Sequence, residues 1–346
     1  MTSPHRDYKQ LSRRRLQFIV LFAVLTLAAL VRDVMTGAAP LTVREVCLGL
    51  FRPDQAAPMV RTILWTLRLP VALTAAAVGA TLGLAGAVMQ TILGNPLASP
   101  YTLGVGAGAA FGASLAIVLD VSLFSLPPEY LVPFNAFFFA MAICLLIYGL
   151  GRVKGLSTNT MVLAGIALLF LFQALQALLQ YYATEGDLQA IVFWTFGSLQ
   201  KATWPKLAMI SGVFLACFPL LMRDAWKYTA LLLGDEKAES LGVRAGPLKL
   251  RAFLLISLLA AAAVCFVGTI GFIGLAGPHI ARILAGEEQR FYLPLSALCG
   301  ALILSCASVI SKTLVAGSVF PIGIITSLIG VPFFFALIIK GKGLKP

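Results

Sequence analysis

The chain reads as an all-α integral membrane protein of about ten transmembrane helices with an internal inverted repeat. Three observations lead there. Only 12% of the 346 residues are charged and 60% are hydrophobic, against roughly 25% charged in a soluble protein. The apolar residues gather in runs close to the ~20 needed to cross a bilayer as a helix, and the mean hydropathy is +0.94. Finally, two proline-centred motifs interrupt long apolar runs at corresponding places in the two halves. They are Gly94-Asn95-Pro96-Leu97-Ala98-Ser99-Pro100 and Gly271-Phe272-Ile273-Gly274-Leu275-Ala276-Gly277-Pro278-His279-Ile280-Ala281-Arg282. Hydrocarbon offers no water to backbone groups freed by such breaks, so they belong where protein or a cavity surrounds them.

The spans follow in order. Residues 1–15 are polar and basic and form a cytoplasmic tail ahead of span 1, about 16–35. Arg13-Arg14-Arg15 precede that run without a clean small-residue cleavage site, which fits a retained span rather than a signal peptide. Residues 36–60, with Pro40, Pro53 and Pro58, read as an external loop with room for a short helix. Span 2 (63–93) ends at the first motif, and span 3 (101–119) opens with Gly104, Gly106, Gly108 and Gly112. Spans 4 (131–150) and 5 (159–182) are joined by a cationic turn at Arg152 and Lys154. A polar break, 183–206, precedes span 6 (207–222), and 223–250 is the longest polar stretch inside the chain. Spans 7 (250–268), 8 (272–284), 9 (293–315) and 10 (321–339) complete the set.

Charge agrees with this count. With the N-terminus inside, the turns after spans 4, 6 and 8 and the tail are rich in Lys and Arg, as the positive-inside rule requires. Both termini are then cytoplasmic. The net charge of +12 is expected to face anionic lipid rather than nucleic acid. The external segments nevertheless carry Arg44, Arg52, Arg61, Arg68, Lys201 and Lys312, an excess that suits a docking face. Spans 2–5 and 7–10 have the same order: a long helix, a Gly/Pro break, a short span and two longer ones. One set starts outside and the other inside, an inverted repeat of the kind that places a transport path at the repeat interface.

Enzymatic chemistry finds little footing. No GxxxxGK[ST], HExxH or GxSxG occurs, and the acidic residues lie almost entirely in loops, with Asp120 the one nearest a span. The six cysteines form no CxxC pair, and five sit in apolar runs as small buried residues. No metal site is expected: His279 has no second ligand at useful spacing and reads as a hydrogen-bonded scaffold residue, while Arg282 faces the headgroups or caps span 8. The stripes Gly79/Gly83/Gly86 and Gly104/Gly108/Gly112 read as close helix packing. The segment from Asp235 to Leu241 is a short amphipathic helix stopped by Gly242, either simply solvated or suited to a protein contact. Gln173, Gln176 and Gln180 share one face of span 5, as path lining or as interhelix hydrogen bonds.

Taken together, these residues resemble the permease subunits of type II ABC importers for iron–siderophores, haem and cobalamin, the FecCD-like family. The likeness runs over nearly the whole chain. It is carried by Leu67-Arg68-Leu69-Pro70, Gly86-Ala87-Val88-Met89-Gln90 leading into Asn95-Pro96-Leu97-Ala98, Trp194-Thr195-Phe196-Gly197-Ser198-Leu199, Leu241-Gly242, the second proline motif, and Pro321-Ile322-Gly323 with Gly330. The resemblance implies that residues 1–346 form a single transmembrane permease domain of a bacterial cytoplasmic (inner) membrane importer, with 223–250 as its cytoplasmic coupling loop. It implies a second permease copy (a homodimer, or a paralogous partner) and two ATP-binding subunits that hold ATP and Mg. It also implies a periplasmic or lipid-anchored substrate-binding protein, and no cofactor on this chain. Glu236, Ala238, Ser240, Leu241 and Gly242 are the implied ATPase contacts. Arg68 and Lys312 match binding-protein docking positions. Val71 and Phe320 stand where the family has charged residues, and Arg61 is a substitute. Asn95, Leu97, Ser157, Thr158 and Asn159 match the gate, spans 5 and 10 are the expected lining, and Pro96, Pro100, Pro278, His279 and Arg282 are structural. The cargo expected is a ferric siderophore, or else haem or cobalamin. A secondary transporter without an ATPase is the rival reading, and a membrane-embedded enzyme a third.

Overall fold

The computed structural model describes residues 4–120, 127–154, 158–315 and 317–340, with side chains left aside at 4–7, 152–154, 158–159, 337–338 and 340. The helices are α1 (Pro4–Met35), α2 (Val43–Phe51), α3 (Pro58–Thr62), α4 (Leu69–Leu93), α5 (Val105–Leu119), α6 (Pro128–Lys154), α7 (Thr158–Tyr182), α8 (Glu185–Thr195), α9 (Trp204–Arg223), α10 (Ala225–Leu231), α11 (Asp235–Ser240), α12 (Ala245–Val267), α13 (Ile273–Ala285), α14 (Gln289–Thr313) and α15 (Ile322–Lys340). A π-helical stretch, Ile63–Arg68, joins α3 to α4. Among the described residues, seven helices are long and apolar enough to cross a membrane, and three shorter apolar ones lie within α5, α13 and α15. These ten correspond one to one with the ten spans predicted.

Local chemistry explains the departures. Thr42 and Glu45 form a reciprocal capping box that starts α2 in the 36–60 loop. Thr184 accepts from the Asp187 N–H at 3.3 Å and starts α8 inside the predicted break. Span 3 begins at Val105 rather than at 101, because Pro100 to Gly104 is spent on turns. Helices α5 and α13 have 15 and 13 residues. At ~1.5 Å per residue they fall short of the ~30 Å hydrocarbon layer, and the broken segments before them supply the remaining depth.

The packing obeys the repeat. Matching α4, α5, α6 and α7 with α12, α13, α14 and α15 carries most contacts onto other observed contacts. Thus α4 against α14 corresponds to α12 against α6, α13 against α4 to α5 against α12, and α5 against α7 to α13 against α15. Outside the matched set, α1 packs along α14, whereas α9 packs against α12 and α4. At the centre, α4 is almost wholly buried. Its small residues admit close backbone approach: Gly79 and Gly83 face α14 at Gly300 and Ser296, and Gly86 faces Gly274 of α13. The stripe Gly108/Gly112 meets α6 at Phe139 and Asn135 in the same way.

We call the end where α1 begins the near end. There Arg15 pairs with Glu288 at the start of α14, Arg290 lies 2.5 Å from the same carboxylate, and Tyr8 donates to it at 3.3 Å. The end of α4 and the α10–α11 segment lie at this end too. The far end holds α2, α3 and the close of α1 and α14.

Candidate functional site: two broken helices and the groove between them

Each break is satisfied by its own surroundings. The first opens where α4 stops at Gly94, in the left-handed region at φ 56. The Asn95 N–H donates to Gln90 O at 3.1 Å, and Asn95 Oδ1 accepts from the Leu97 N–H at 2.9 Å. Pro96 and Pro100 have no N–H to strand. Ser99 and Thr102 then cap each other: Thr102 Oγ1 accepts from the Ser99 N–H at 2.9 Å, and Ser99 Oγ from the Thr102 N–H at 3.2 Å.

The second break is held by two other chain segments. The Ser198 N–H donates to Val267 O at 2.7 Å, Ile322 N–H to Gly197 O at 3.1 Å, and Gly323 N–H to Phe196 O at 3.0 Å. Thr269 Oγ1 donates to Thr195 O at 2.5 Å. Gly197 has φ 72, and a Cβ there would lie 2.7 Å from Thr269 O, so only glycine fits this meeting of backbones. Phe272 is a non-glycine residue at φ 68, a strained conformation that persists only where its neighbours enforce it. Its ring packs against Gly330 and lies 6.0 Å from that of Phe334. The sequence fragments Phe196-Gly197-Ser198, Gly271-Phe272 and Pro321-Ile322-Gly323 are therefore parts of one structure.

Between the breaks lies a cavity of about 510 Å³ lined by residues including Tyr101, Thr195, Phe196, Gly271, Ser327 and Val331. It lies alongside exposed Leu328 and Val331 of α15. Of the two expected lining helices, α15 contributes and the α7 glutamines do not. Gln173 is exposed and Gln176 and Gln180 are partly buried elsewhere on α7. Tyr101 touches both breaks and was missed from sequence, although an aromatic residue directly after Pro100 was its signal. Asn95 is partly exposed and Leu97 exposed beside the near end. Thr158 and Asn159 open α7, and Ser157 lies outside the described residues.

Two expectations for the second motif change. His279 is half-buried with its ring edge-on to Phe333 at 6.0 Å, and its Nε2 has no hydrogen-bond partner among the described residues. It is held by packing and not by the expected hydrogen bond. Arg282 turns inward rather than to headgroups: its Nη2 donates to Gln90 Oε1 at 3.1 Å and Tyr292 OH at 3.3 Å, and its Nε lies 3.2 Å from Glu287. Among the described residues no cluster of His, Cys, Asp and Glu could hold a metal.

At the far end, two of the cations expected to dock a partner have internal partners. Arg68 is 6% exposed and donates to Val34 O at 3.0 Å, Met35 O at 3.1 Å and Ala39 O, closing the C-terminus of α1. Lys312 Nζ lies 2.8 Å from Asp33, a fully buried carboxylate that also accepts from Ser308 Oγ at 3.0 Å. Asp33, and not Asp120, is a buried carboxylate inside a span. It sits at the end of span 1 beside Arg32, a polar pair that marked the position. Asp120 is an exposed cap of α5. Arg61, Arg44, Arg52 and Lys201 are exposed. A cavity of about 370 Å³ separates Arg68 and Lys312 from Gln200.

The near-end segment folds as expected into a short helix, α11, closed by Gly242 at φ 82. Buried Asp224 pairs with Lys227 at 2.9 Å and with Arg251, and Lys249 lies 2.6 Å from Asp235, so the segment is fixed to α12. Glu236, Ser240, Leu241 and Gly242 are exposed, and Leu241 is 56% exposed despite being apolar. Ala238 is fully buried against the chain's own core. Its side chain cannot be the partner contact expected of it, because it is the apolar side of the amphipathic turn.

Comparison with known proteins agrees with this architecture. Residues 21–340 match the FecCD transport family. The hemin transport system permease protein HmuU of Yersinia pestis is 39% identical over 276 residues, covering 80% of this chain and 83% of that protein. The molybdate import system permease protein MolB of Haemophilus influenzae is 36% identical over 315 residues, covering 86% and 92%. A solved structure described as an inward-facing, metal-chelate type ABC transporter superposes with a TM-score of 0.82 at 34% identity, over 94% of this chain and 99% of the other. A family match over nearly the whole chain, together with relatives 36–39% identical over most of its length, shows that the chain belongs to the FecCD transport family.

Proposed function

We propose that this chain is the permease subunit of an ATP-driven importer that moves a metal chelate, a ferric siderophore or haem in the first place, across a bacterial cytoplasmic membrane. The match over residues 21–340 carries this reading. The groove between the breaks supports it physically, because unwound backbone with its hydrogen bonds satisfied by protein can line a path without exposing orphan groups to lipid. A second permease copy would face the exposed sides of α7 and α15 and complete the path. Hydrolysis belongs to two separate subunits holding ATP and Mg, and this chain supplies no covalent chemistry.

Under this reading the near end is cytoplasmic. It carries Arg13–Arg15, Arg223, Lys227, Arg244, Arg251 and Arg290, as the positive-inside rule favours. Exposed Glu236, Ser240, Leu241 and Gly242 then face the ATPase. The binding protein docks on the far end, through Arg61 and its exposed neighbours Arg44, Arg52 and Lys201, while Arg68 and Lys312 hold the surface in shape. Rim cations of this kind act mainly on encounter rate and salt dependence. Asn95 and Leu97 with the start of α7 form the gate.

Leu241→Arg tests the assignment. A cation in an apolar contact should abolish chelate uptake while expression and Tm stay at wild type. Normal uptake by the well-expressed variant would count against an ATPase docked there and in favour of a secondary transporter.

A further inference from the structure

The last turn of α4 carries more buried polar contact than its place in an apolar bundle explains. Gln90 and Thr91 are 2% and 4% exposed. Two chains of hydrogen bonds meet on them. In the first, Thr229 of α10 accepts at 3.2 Å from the backbone N–H of Gln289, the first residue of α14, and itself donates to Ala225 O at 3.2 Å. Gln289 is 1% exposed, and its Oε1 lies 3.3 Å from Thr91 Oγ1. Thr91 has one proton for two acceptors, since Ala87 O lies 2.9 Å away. In the second chain, Arg282 of α13 and Tyr292 of α14 both donate to Gln90 Oε1, at 3.1 Å each. The amide nitrogen of Gln90 is buried and has no partner among the described residues.

A buried donor without a partner calls for an explanation, and a bond made in another conformation supplies one. We propose that the last turn of α4 is a coupling joint. Motion of the α10–α11 segment passes through Thr229 and Gln289 to Thr91. The Thr91 hydroxyl switches between its two acceptors and the free Gln90 N–H gains a partner as the Gly94–Leu97 turn is carried along. Thr91, Gln289 and Thr229 are positioning residues in this scheme, because they touch neither cargo nor nucleotide. The inference rests on the importer reading above and names the residues by which the ATPase contact reaches the gate. Such a switch between two discrete hydrogen-bonded arrangements is the physical content that a coupling route requires.

The test uses the intact importer in proteoliposomes: permease, ATPase and binding protein loaded with a ferric siderophore. Chelate taken up per ATP hydrolysed is measured for Thr91→Val, Gln289→Met and Thr229→Val, with Thr91→Ser keeping the hydroxyl. Each of the first three should hydrolyse ATP at the wild-type stimulated rate yet lose at least about fivefold in uptake per ATP, the low end of a coupling effect. Thr91→Ser should behave as wild type. The double variant Thr91→Val/Thr229→Val should be no worse than the more affected single variant. Should one variant lose stability, the remaining two and the serine variant still decide the matter. Uptake and hydrolysis falling in proportion, or unchanged uptake per ATP, would overturn the joint alone. A wild-type complex without ATP-dependent uptake would overturn the importer reading and this inference with it.

Discussion

Replacing Gly86 by alanine adds one methyl group where α4 crosses α13. The new Cβ would stand 2.6 Å from the carbonyl carbon of Gly274 and 2.8 Å from its Cα, with the carbonyl oxygen closer still. Ordinary contact begins near 3.4 Å, so to clear the carbonyl oxygen the helices must part by well over an ångström. The obstruction is backbone on a second helix, which cannot rotate away as a side chain would. Overpacking in a filled core costs about 1–3 kcal/mol, and a backbone obstruction belongs at the upper end. Thermal unfolding of the purified protein in detergent should therefore show a Tm lowered by several degrees. Because α13 carries the second break, uptake should fall as well. Gly212→Ala in α9 is the control: a Cβ there meets nothing within 4 Å, and the change should stay within about 0.5 kcal/mol. Equal Tm values for the two variants would refute the claim that contact between α4 and α13 backbones sets the geometry of the breaks.

Other outcomes follow from the same structure. Lys312→Met leaves Asp33 buried and unpaired and should cost about 3–5 kcal/mol, measured as loss of Tm, whereas the double variant Asp33→Asn/Lys312→Met should recover much of it. Arg68→Ala strips the carbonyls of Val34, Met35 and Ala39 and should cost on the order of 3 kcal/mol. Arg68→Lys should not restore the loss, because an ammonium cannot reproduce the guanidinium fork, and limited proteolysis of the 36–41 loop would report either failure. The backbone and side-chain hydrogen bonds from Thr42 hold the exposed Glu45 carboxyl below its usual value. A depressed folded-state pKa stabilises α2 above the unfolded value and is lost as pH falls through the folded one. The amide protection factors of Val43–Phe51, which are exchange rates corrected for their intrinsic pH dependence, should accordingly fall on acidification, and Glu45→Gln should remove that dependence.

Much of this was legible in sequence. The ten spans came from apolar length, and the repeat from the placement of Gly and Pro. Helix α11 was legible because Asp235–Ser240 is amphipathic and Gly242 terminates it. What escaped was set by tertiary partners. Nothing in the sequence joins Phe196-Gly197 to Thr269 and to Ile322-Gly323, because those backbone bonds connect distant segments. Arg68 and Lys312 looked like docking cations because each lies near the external end of its span, yet α1 closes over one and Asp33 neutralises the other. Arg282 looked like a headgroup contact for want of any sign that Gln90 and Tyr292 would face it. The same limit applies to cargo: the groove is lined by backbone, aromatic, aliphatic and hydroxyl groups, and relatives of similar identity are named for hemin and for molybdate.

The most direct measurement is uptake of a radiolabelled ferric chelate into proteoliposomes holding this chain. Uptake should require both the ATP-binding subunits with ATP and Mg and the loaded binding protein, and should be absent when any one is omitted. Accumulation driven by a proton or sodium gradient, with no ATPase present, would contradict the account.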